Sequence, residues 1–212
     1  MAGGQAEAAP ASASEVFGDA WPLAERFARM LIEEGELRGL IGPRELPRLW
    51  TRHILNSTPV SDFVPRGTRF ADVGSGAGFP GVVVALLRPD LDVHLIEPMD
   101  RRVTWLSDVS REIGIPNVTV VRARAEELHG RETFDVVSAR AVAAMKKLVP
   151  WVAPLIKPGG RLVALKGERA AVEIEEAAKA LRKHRLGHAT VHEVTVLGTD
   201  EVTRVVTAER SA

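Results

Sequence analysis

The chain has 212 residues, its 28 Lys and Arg are balanced by 28 Asp and Glu, and 45% of its residues are hydrophobic. A buried core is expected, and neither wholesale disorder nor a globally basic nucleic-acid binder fits, although local basic patches remain open. Cysteine is absent, which excludes a disulfide scaffold, a thiolate nucleophile, an iron–sulfur cluster and a thiolate zinc site, and suits a reducing cytoplasm. No run approaches the roughly 20 apolar residues of a membrane span, and the N-terminus lacks the pattern of a signal peptide.

Residues 1–13 (MAGGQAEAAPASA) are small and polar and read as a disordered leader. Residues 14–68 read as a helical segment packed on the remainder, and 69–212 as the main domain. Phe17, Ala20, Ala24, Phe27 and Leu31 recur at steps of three and four, the stripe of a helix starting near Asp19, with Pro22 in its first turn. A second helix is predicted from Pro43 to about Asn56. From Arg69 short apolar runs alternate with helical stretches. Strands are expected at 69–73, 92–96, 118–122, 134–138, 161–165, 189–197 and 203–208, and helices at 80–88, 101–113, 143–156 and 168–184. The alternation implies right-handed crossovers and a mostly parallel sheet. No helix separates the last two strands, so Gly198-Thr199-Asp200 should turn an antiparallel hairpin.

The strongest signal is Phe70-Ala71-Asp72-Val73-Gly74-Ser75-Gly76-Ala77-Gly78-Phe79-Pro80-Gly81, a strand entering a glycine-rich loop and then a helix. Gly74, Gly76 and Gly78 let a ligand approach the backbone, and such a loop at the carboxyl edge of a parallel sheet is a switch-point site. No Lys-Ser or Lys-Thr follows, so this is no P-loop, and the G-x-G-x-G spacing weakens a dinucleotide reading. Glu97 ends the second strand, where a carboxylate accepts ribose hydroxyls. Asp72 can order the loop and help hold an amino group, directly or through water. A ligand with a ribose and an α-amino acid but no phosphate fits, and S-adenosylmethionine is one. A dinucleotide, or a turn that binds nothing, remains the alternative. After the third strand, Ala125 and Glu126 can read adenine, or can simply open a helix.

Leu40-Ile41-Gly42-Pro43-Arg44-Glu45, Leu49-Trp50-Thr51-Arg52-His53-Ile54-Leu55-Asn56-Ser57, the Asp72–Gly81 loop, Ser138-Ala139-Arg140-Ala141 and Ala164-Leu165-Lys166-Gly167 occur in this order. From about residue 15 to about 210 the chain resembles the RsmG (also called GidB) family. The resemblance implies an α/β fold, the Rossmann-like, seven-stranded class I S-adenosylmethionine methyltransferase sheet with an N-terminal helical addition. It implies methylation of N7 of a guanine, position 527, in 16S ribosomal RNA, with 16S rRNA or the small ribosomal subunit as partner. It also implies cofactor contacts at Gly74, Phe79, Ala125, Glu126 and Arg140. Some relatives carry a basic C-terminal tail, whereas this chain ends Ala208-Glu209-Arg210-Ser211-Ala212. A cytoplasmic monomer without metal is expected. His184, His188 and His192 are interrupted by Gly187 and have no suitably spaced carboxylates. The alternatives are a methyltransferase of the same fold acting on a small molecule or protein, a non-catalytic assembly or RNA-binding factor, and an NAD-dependent oxidoreductase.

Guanine N7 carries a lone pair and no proton, so the reaction needs alignment and exclusion of water rather than a general base. Consistently, the fourth strand ends Ser138-Ala139-Arg140, not in an Asn/Asp-Pro-Pro-aromatic pattern. Arg140 and Lys166 end the fourth and fifth strands and are the candidate catalytic pair, each able to donate to guanine O6. The competing role for each is a salt bridge, in the case of Arg140 to Asp72 or Asp135. Six arginines between residues 38 and 69 face only Glu45 and Asp62 and form a candidate RNA wall. Arg48 and Arg52, one helical turn apart, suit phosphates, with His53 and Asn56 beside them. Arg101 and Arg102 open a helix, where the dipole disfavours cations, and an RNA phosphate would explain them; Lys166 is a further candidate. Trp50 and Trp105 are expected in the core.

Overall fold

A computed structural model describes residues 5–211. Seven strands form one sheet: β1 Arg69–Val73, β2 Asp92–Ile96, β3 Val118–Val121, β4 Phe134–Arg140, β5 Ile156–Lys166, β6 Thr190–Thr195 and β7 Val202–Glu209. Their order is β3-β2-β1-β4-β5-β7-β6. The first five are parallel, while β7 runs antiparallel to both β5 and β6. This is the expected mostly parallel sheet with its terminal hairpin. β5 starts five residues earlier than predicted, because Ile156 already pairs with Phe134 before a register shift around Lys157–Gly160.

Among the described residues six α-helices accompany the sheet: α1 Ala13–Phe17, α2 Trp21–Glu34, α3 Gly81–Leu87, α4 Asp100–Ile113, α5 Met145–Val152 and α6 Ala170–Lys183. In α2, Pro22 sits in the first turn and Ala24, Phe27, Ala28 and Leu31 face the core. In α4 the buried face is Trp105, Leu106, Val109 and Ile113, and Gly114 ends the helix in the left-handed region at φ 72°. α5 is shorter than predicted: it tightens into a 3-10 turn at Ala153–Leu155. Pro150 and Pro154 each lack the N–H that a continuing helix would need.

The sheet separates two apolar layers. The N-terminal helices, α3 and α4 pack on one face around Phe27, Phe70, Leu95 and Val163. α5 and α6 cover the other, around Val137, Leu148, Leu162 and Leu181. Trp50 and Trp105 are buried in the first layer.

The predicted 43–56 helix is a broken run: a 3-10 turn at Leu46–Arg48, a π-helix at Leu49–Leu55 and a 3-10 stretch at Thr58–Phe63. Pro47 confines the first turn, and the wider π winding rotates the residues that follow. Arg48 and Arg52 therefore do not act as an i,i+4 pair: Arg48 lies 4.0 Å from Glu201, and Arg52 lies 3.6 Å from Glu45. Residues 5–12, read from the sequence as part of a leader, reach the N-terminal segment through Glu7; residues 1–4 lie outside the described residues. The Glu7 carboxylate accepts the Trp50 and Thr51 N–H groups at 2.8 and 3.0 Å, satisfying orphan donors at the start of the π-helix.

Candidate functional site

The carboxyl ends of β1, β2 and β4 surround a cleft of about 620 Å³, a size suited to a small-molecule ligand. Its floor is the loop Gly74–Ala77 with Phe79, and its walls include Glu97, Met99, Arg102, Ala123–Glu126, Arg140–Val142, and His53 with Leu40 and Ile41 from the N-terminal segment. Only glycine suits two of the loop positions. Gly74 has φ 73°, and a Cβ there would come within 2.6 Å of Val142. Gly78, at φ 109°, would meet Val82 at 2.8 Å and Phe27 at 3.0 Å. Trp105 Nε1–H donates to Ala77 O at 3.0 Å and ties the loop to α4.

Glu97 is 1% exposed at the end of β2. Its Oε2 accepts the Gly76 N–H at 3.0 Å and its Oε1 accepts the Met99 N–H at 2.9 Å. Each oxygen keeps a second lone pair for a ligand hydroxyl. Arg102 approaches the same carboxylate at 3.9 Å, and its buried Nε has no partner. A polar donor left unsatisfied beside a carboxylate and a glycine loop suits a polar ligand in the cleft.

Asp72 sits beneath this loop rather than in the cleft. It pairs in register with Leu95 and Ser138, on the face that packs against α3, whereas Val73, one residue on, lines the cleft. Its Oδ2 accepts the Gly81 N–H at 3.0 Å. Its Oδ1 and the neighbouring Ser138 Oγ are buried without partners. Desolvation raises its pKa to about 7, against the opposing pull of the Gly81 N–H. Asp72 thus braces the end of the loop through Gly81 and is not itself among the residues that line the cleft.

Arg140 lines the cleft from the end of β4 and is bound almost entirely by the N-terminal segment. Nη1 donates to His53 O and Ser57 Oγ, both at 3.2 Å. Nη2 donates to Arg52 O at 2.8 Å and lies 2.9 Å from His53 Nδ1. Four of its five N–H groups are thus engaged, and the Nε–H is left over. Among the described residues no carboxylate forms an ion pair with it; burial lowers its pKa to about 10, and the charge of Arg52 adds to that. The salt bridge to Asp72 or Asp135 is absent: Asp135 is bound by Lys157 and by the Arg69 N–H.

Lys166 is not beside Arg140. Leu165 faces the layer that holds the N-terminal segment, so Lys166 faces α6. Its Nζ donates to Glu173 at 2.9 Å and to Ala143 O at 2.6 Å, and Glu173 also accepts the Met145 N–H at 2.9 Å. Burial works against the Glu173 anion, but these donors hold its pKa below the usual range. The side chain therefore fixes the 141–145 turn.

The remaining candidates divide. Gly74, Gly76, Phe79, Glu97, Ala125, Glu126 and Arg140 line the cleft, while Gly78 packs behind it. His53 also lines it, bound through Nε2 to Glu45 at 2.7 Å and stacked on Phe79 with ring centroids 5.3 Å apart. Asn56 Oδ1 accepts the Thr203 hydroxyl at 3.2 Å and joins the N-terminal segment to β7. Arg102 belongs to the cleft itself, and Arg101 lies exposed over Gly39. The wall of six arginines does not hold together. Arg38 pairs with Glu34 and Asp108, and Arg66 and Arg69 lie at the amino edge of the sheet, away from the cleft. The sequence reading missed Lys146 and Lys147. They are exposed at the start of α5, on the same sheet edge as Arg101 at the start of α4, and neither enters an ion pair among the described residues. Two cations in the first turn of a crossover helix were the available signal.

The family model described as rRNA small subunit methyltransferase G (GidB) matches residues 21–200. Ribosomal RNA small subunit methyltransferase G of Beutenbergia cavernae is 53% identical over 191 residues, covering 90% of each chain. The protein of that name from Leifsonia xyli is 52% identical, covering 95% of this chain and 96% of its own. Among solved structures, the N-methyltransferase NodS from Bradyrhizobium japonicum, in complex with S-adenosyl-L-homocysteine, aligns with a TM-score of 0.57 at 14% identity, over 84% of this chain and 98% of its own. A precorrin-6y C5,15-methyltransferase from Geobacter metallireducens aligns at 0.56 and 19% identity, over 81% of this chain and 91% of its own. These two likenesses show the Rossmann-like methyltransferase fold.

Proposed function

Because the chain belongs to the rRNA small subunit methyltransferase G family, we propose that it methylates N7 of the guanine at position 527 of 16S rRNA, with S-adenosylmethionine as donor. The observation that carries the cofactor assignment is the cleft itself: a backbone cradle at Gly74–Gly76, a buried Glu97 with free lone pairs, and the Ala125–Glu126 backbone on one wall. In this reading Glu97 holds the ribose hydroxyls and Ala125 with Glu126 reads the adenine. When bound, the cofactor supplies an electrophilic sulfonium methyl group.

The residues present suit a nucleophile that needs no deprotonation. Among the described residues His53 is the one imidazole in the cleft lining, and both its nitrogens are engaged. Glu97 is spent on backbone N–H groups and the proposed ribose. Guanine N7 needs only to be held in line with its lone pair free. Arg140, with only Nε–H to spare, offers one donor to the base rather than a fork over O6 and N7. Leu40, Ile41, Phe79 and Val142 supply apolar walls that exclude water.

A neutral chain can still attract RNA through local cations on the edge of the sheet that holds the cleft, where Arg101 opens α4 and Lys146 and Lys147 open α5. Arg44, Arg101, Lys146 and Lys147 are exposed and enter no ion pair among the described residues. They suit phosphate contacts that position the substrate without reading its sequence. The protein works as a cytoplasmic monomer in this reading, and no helix of the described residues is long and apolar enough to cross a membrane.

The test is incubation with labelled S-adenosylmethionine and undermethylated small ribosomal subunits, followed by mapping of the label. Label at a single guanine N7 of 16S rRNA is the expected result. S-adenosylmethionine binding without transfer to rRNA would overturn the acceptor and leave the cofactor assignment in place.

A further inference from the structure

The N-terminal segment and the sheet meet in a chain of contacts that the proposed chemistry does not use. It runs from the Glu45 carboxylate to His53 Nε2 at 2.7 Å, and from His53 Nδ1 to Arg140 Nη2 at 2.9 Å. Arg140 lies over the Phe79 ring at 5.6 Å, and His53 is stacked on that ring. Each junction dictates the next. A carboxylate only accepts, so Nε2 must carry the proton. A guanidinium only donates, so Nδ1 must offer its lone pair. The chain thus requires neutral His53 in its Nε2–H tautomer.

We propose that His53 is a positioning residue: fixed by Glu45, it holds the Arg140 guanidinium and the Phe79 ring in the cleft wall next to the proposed acceptor site. The backbone carbonyls of Arg52 and His53 and the Ser57 hydroxyl hold Arg140 at the end of β4 in any case. His53 Nδ1 is the one side-chain nitrogen acceptor in this set. It helps fix the orientation of the planar guanidinium, and with it the direction of the remaining Nε–H.

A proton on Nδ1 would set two N–H groups against each other and release this grip. The charged groups facing His53 are Glu45 from the preceding turn, Arg52 on its own helix and Arg140 from β4, with Asp72 of β1 behind Arg140. Burial and then Arg140 disfavour the imidazolium, outweighing the contrary pull of Glu45, so the ring titrates below its ordinary value. The arrangement is intact at neutral pH and opens on acidification.

This inference rests on the proposed methyl transfer for its kinetic readout, so a second readout is independent of it. Long-range proton–nitrogen spectra of the full-length protein, assigned through H53N, should show a neutral Nε2–H tautomer whose midpoint lies below 6.5. In E45A that midpoint should move further down, since the one attraction favouring the cation is gone. In parallel, methyl transfer to undermethylated small subunits is followed from pH 5.5 to 9. H53Q keeps a donor toward Glu45 but loses the acceptor for Arg140, and kcat/KM at pH 8 should fall at least tenfold. H53N keeps an acceptor where Nδ1 stood, so it should recover at least threefold over H53Q and lack the acid limb seen for the unsubstituted protein. Melting curves confirm that both variants are folded. A cationic or Nδ1–H imidazole at pH 8, or equal losses in H53N and H53Q with an unchanged acid limb, overturns the proposal. Correct spectra with no methyl transfer by the unsubstituted protein refute the acceptor reading instead.

Discussion

Asp72 gives a prediction that isolates one buried group. Its carboxyl has no exposure, one oxygen is bound by the Gly81 N–H and the other has no partner. The pKa rises from 3.8 to about 7, mainly through desolvation. In the unfolded chain the group ionises near 3.8, so between these values the native state holds a proton that the unfolded state has lost. Folding stability from this group is complete below the unfolded value, declines as the pH rises toward about 7, and is flat above. About 3 units at roughly 1.4 kcal/mol each make the full penalty on the ionised native state about 4 kcal/mol. Between pH 4.5 and pH 8 the change is about 3 kcal/mol. D72N is neutral throughout, keeps a carbonyl oxygen for the Gly81 N–H, and directs an amide donor toward the site of the unpartnered oxygen. Any pH-independent effect of the amide cancels when the two proteins are compared at two pH values. Urea denaturation should therefore show the D72N advantage growing by about 3 kcal/mol from pH 4.5 to pH 8, and melting should show a relative gain of roughly 6–12 °C. Parallel stability profiles across this range would refute the reasoning, because they would mean that Asp72 ionises alike in both states.

Three further outcomes are expected. R140A leaves the Arg52 and His53 carbonyls, Ser57 Oγ and His53 Nδ1 without their donor; urea denaturation should register a loss of about 2–4 kcal/mol, and S-adenosylmethionine titrated by calorimetry should bind at least fivefold more weakly. The double charge reversal K146E/K147E should weaken binding to the small subunit and lower the magnitude of the slope of log K against log salt, while the S-adenosylmethionine affinity measured alone stays within twofold; an unaltered salt slope would remove these lysines from the RNA surface. W105F removes the donor to Ala77 O; equilibrium unfolding should show a loss of about 1 kcal/mol beyond the packing change, accompanied by weaker cofactor binding.

Much of the fold was legible because its signals are local. The apolar runs at 69–73 and 92–96 coincide with β1 and β2, and Gly198-Thr199-Asp200 does join β6 to β7. The glycine loop announced the cleft because backbone approach and left-handed conformations demand glycine there. The 43–56 segment was misread because a π-helix shares the apolar spacing of an α-helix over its few residues. The contacts of Glu7 were not legible, because the composition of the 5–12 stretch is that of a tail and the two N–H groups that Glu7 accepts are brought to it only by the fold. Summing charge over 38–69 concealed that Arg66 and Arg69 belong to the opposite sheet edge and that Arg38, Arg48 and Arg52 have acidic partners.

The pairing of Arg140 with Lys166 failed for a reason that applies to any parallel sheet. Both end adjacent strands, and the register sets Arg140 opposite Leu165. Side chains alternate between faces, so a shift of one residue moves a group to the other side of the sheet. Arg140 shares its face with Ser138, Asp72 and Leu165 and meets the N-terminal segment. Lys166 shares its face with Ala164 and Leu162 and meets Glu173 of α6. A position at a strand's carboxyl end therefore places a residue near a switch-point site, but register parity decides whether it faces the cleft or the helix behind it. The same parity separates Asp72, which braces the glycine loop from beneath, from Val73, which lines the cleft. Lys166 still serves the site at one remove, because Ala143 O and Glu173 bind it while Glu173 caps the Met145 N–H, and this holds the turn that sets Val142 over Gly74. The two side chains act on opposite faces of one sheet edge: Arg140 docks the N-terminal segment against it, and Lys166 fixes the turn that follows β4.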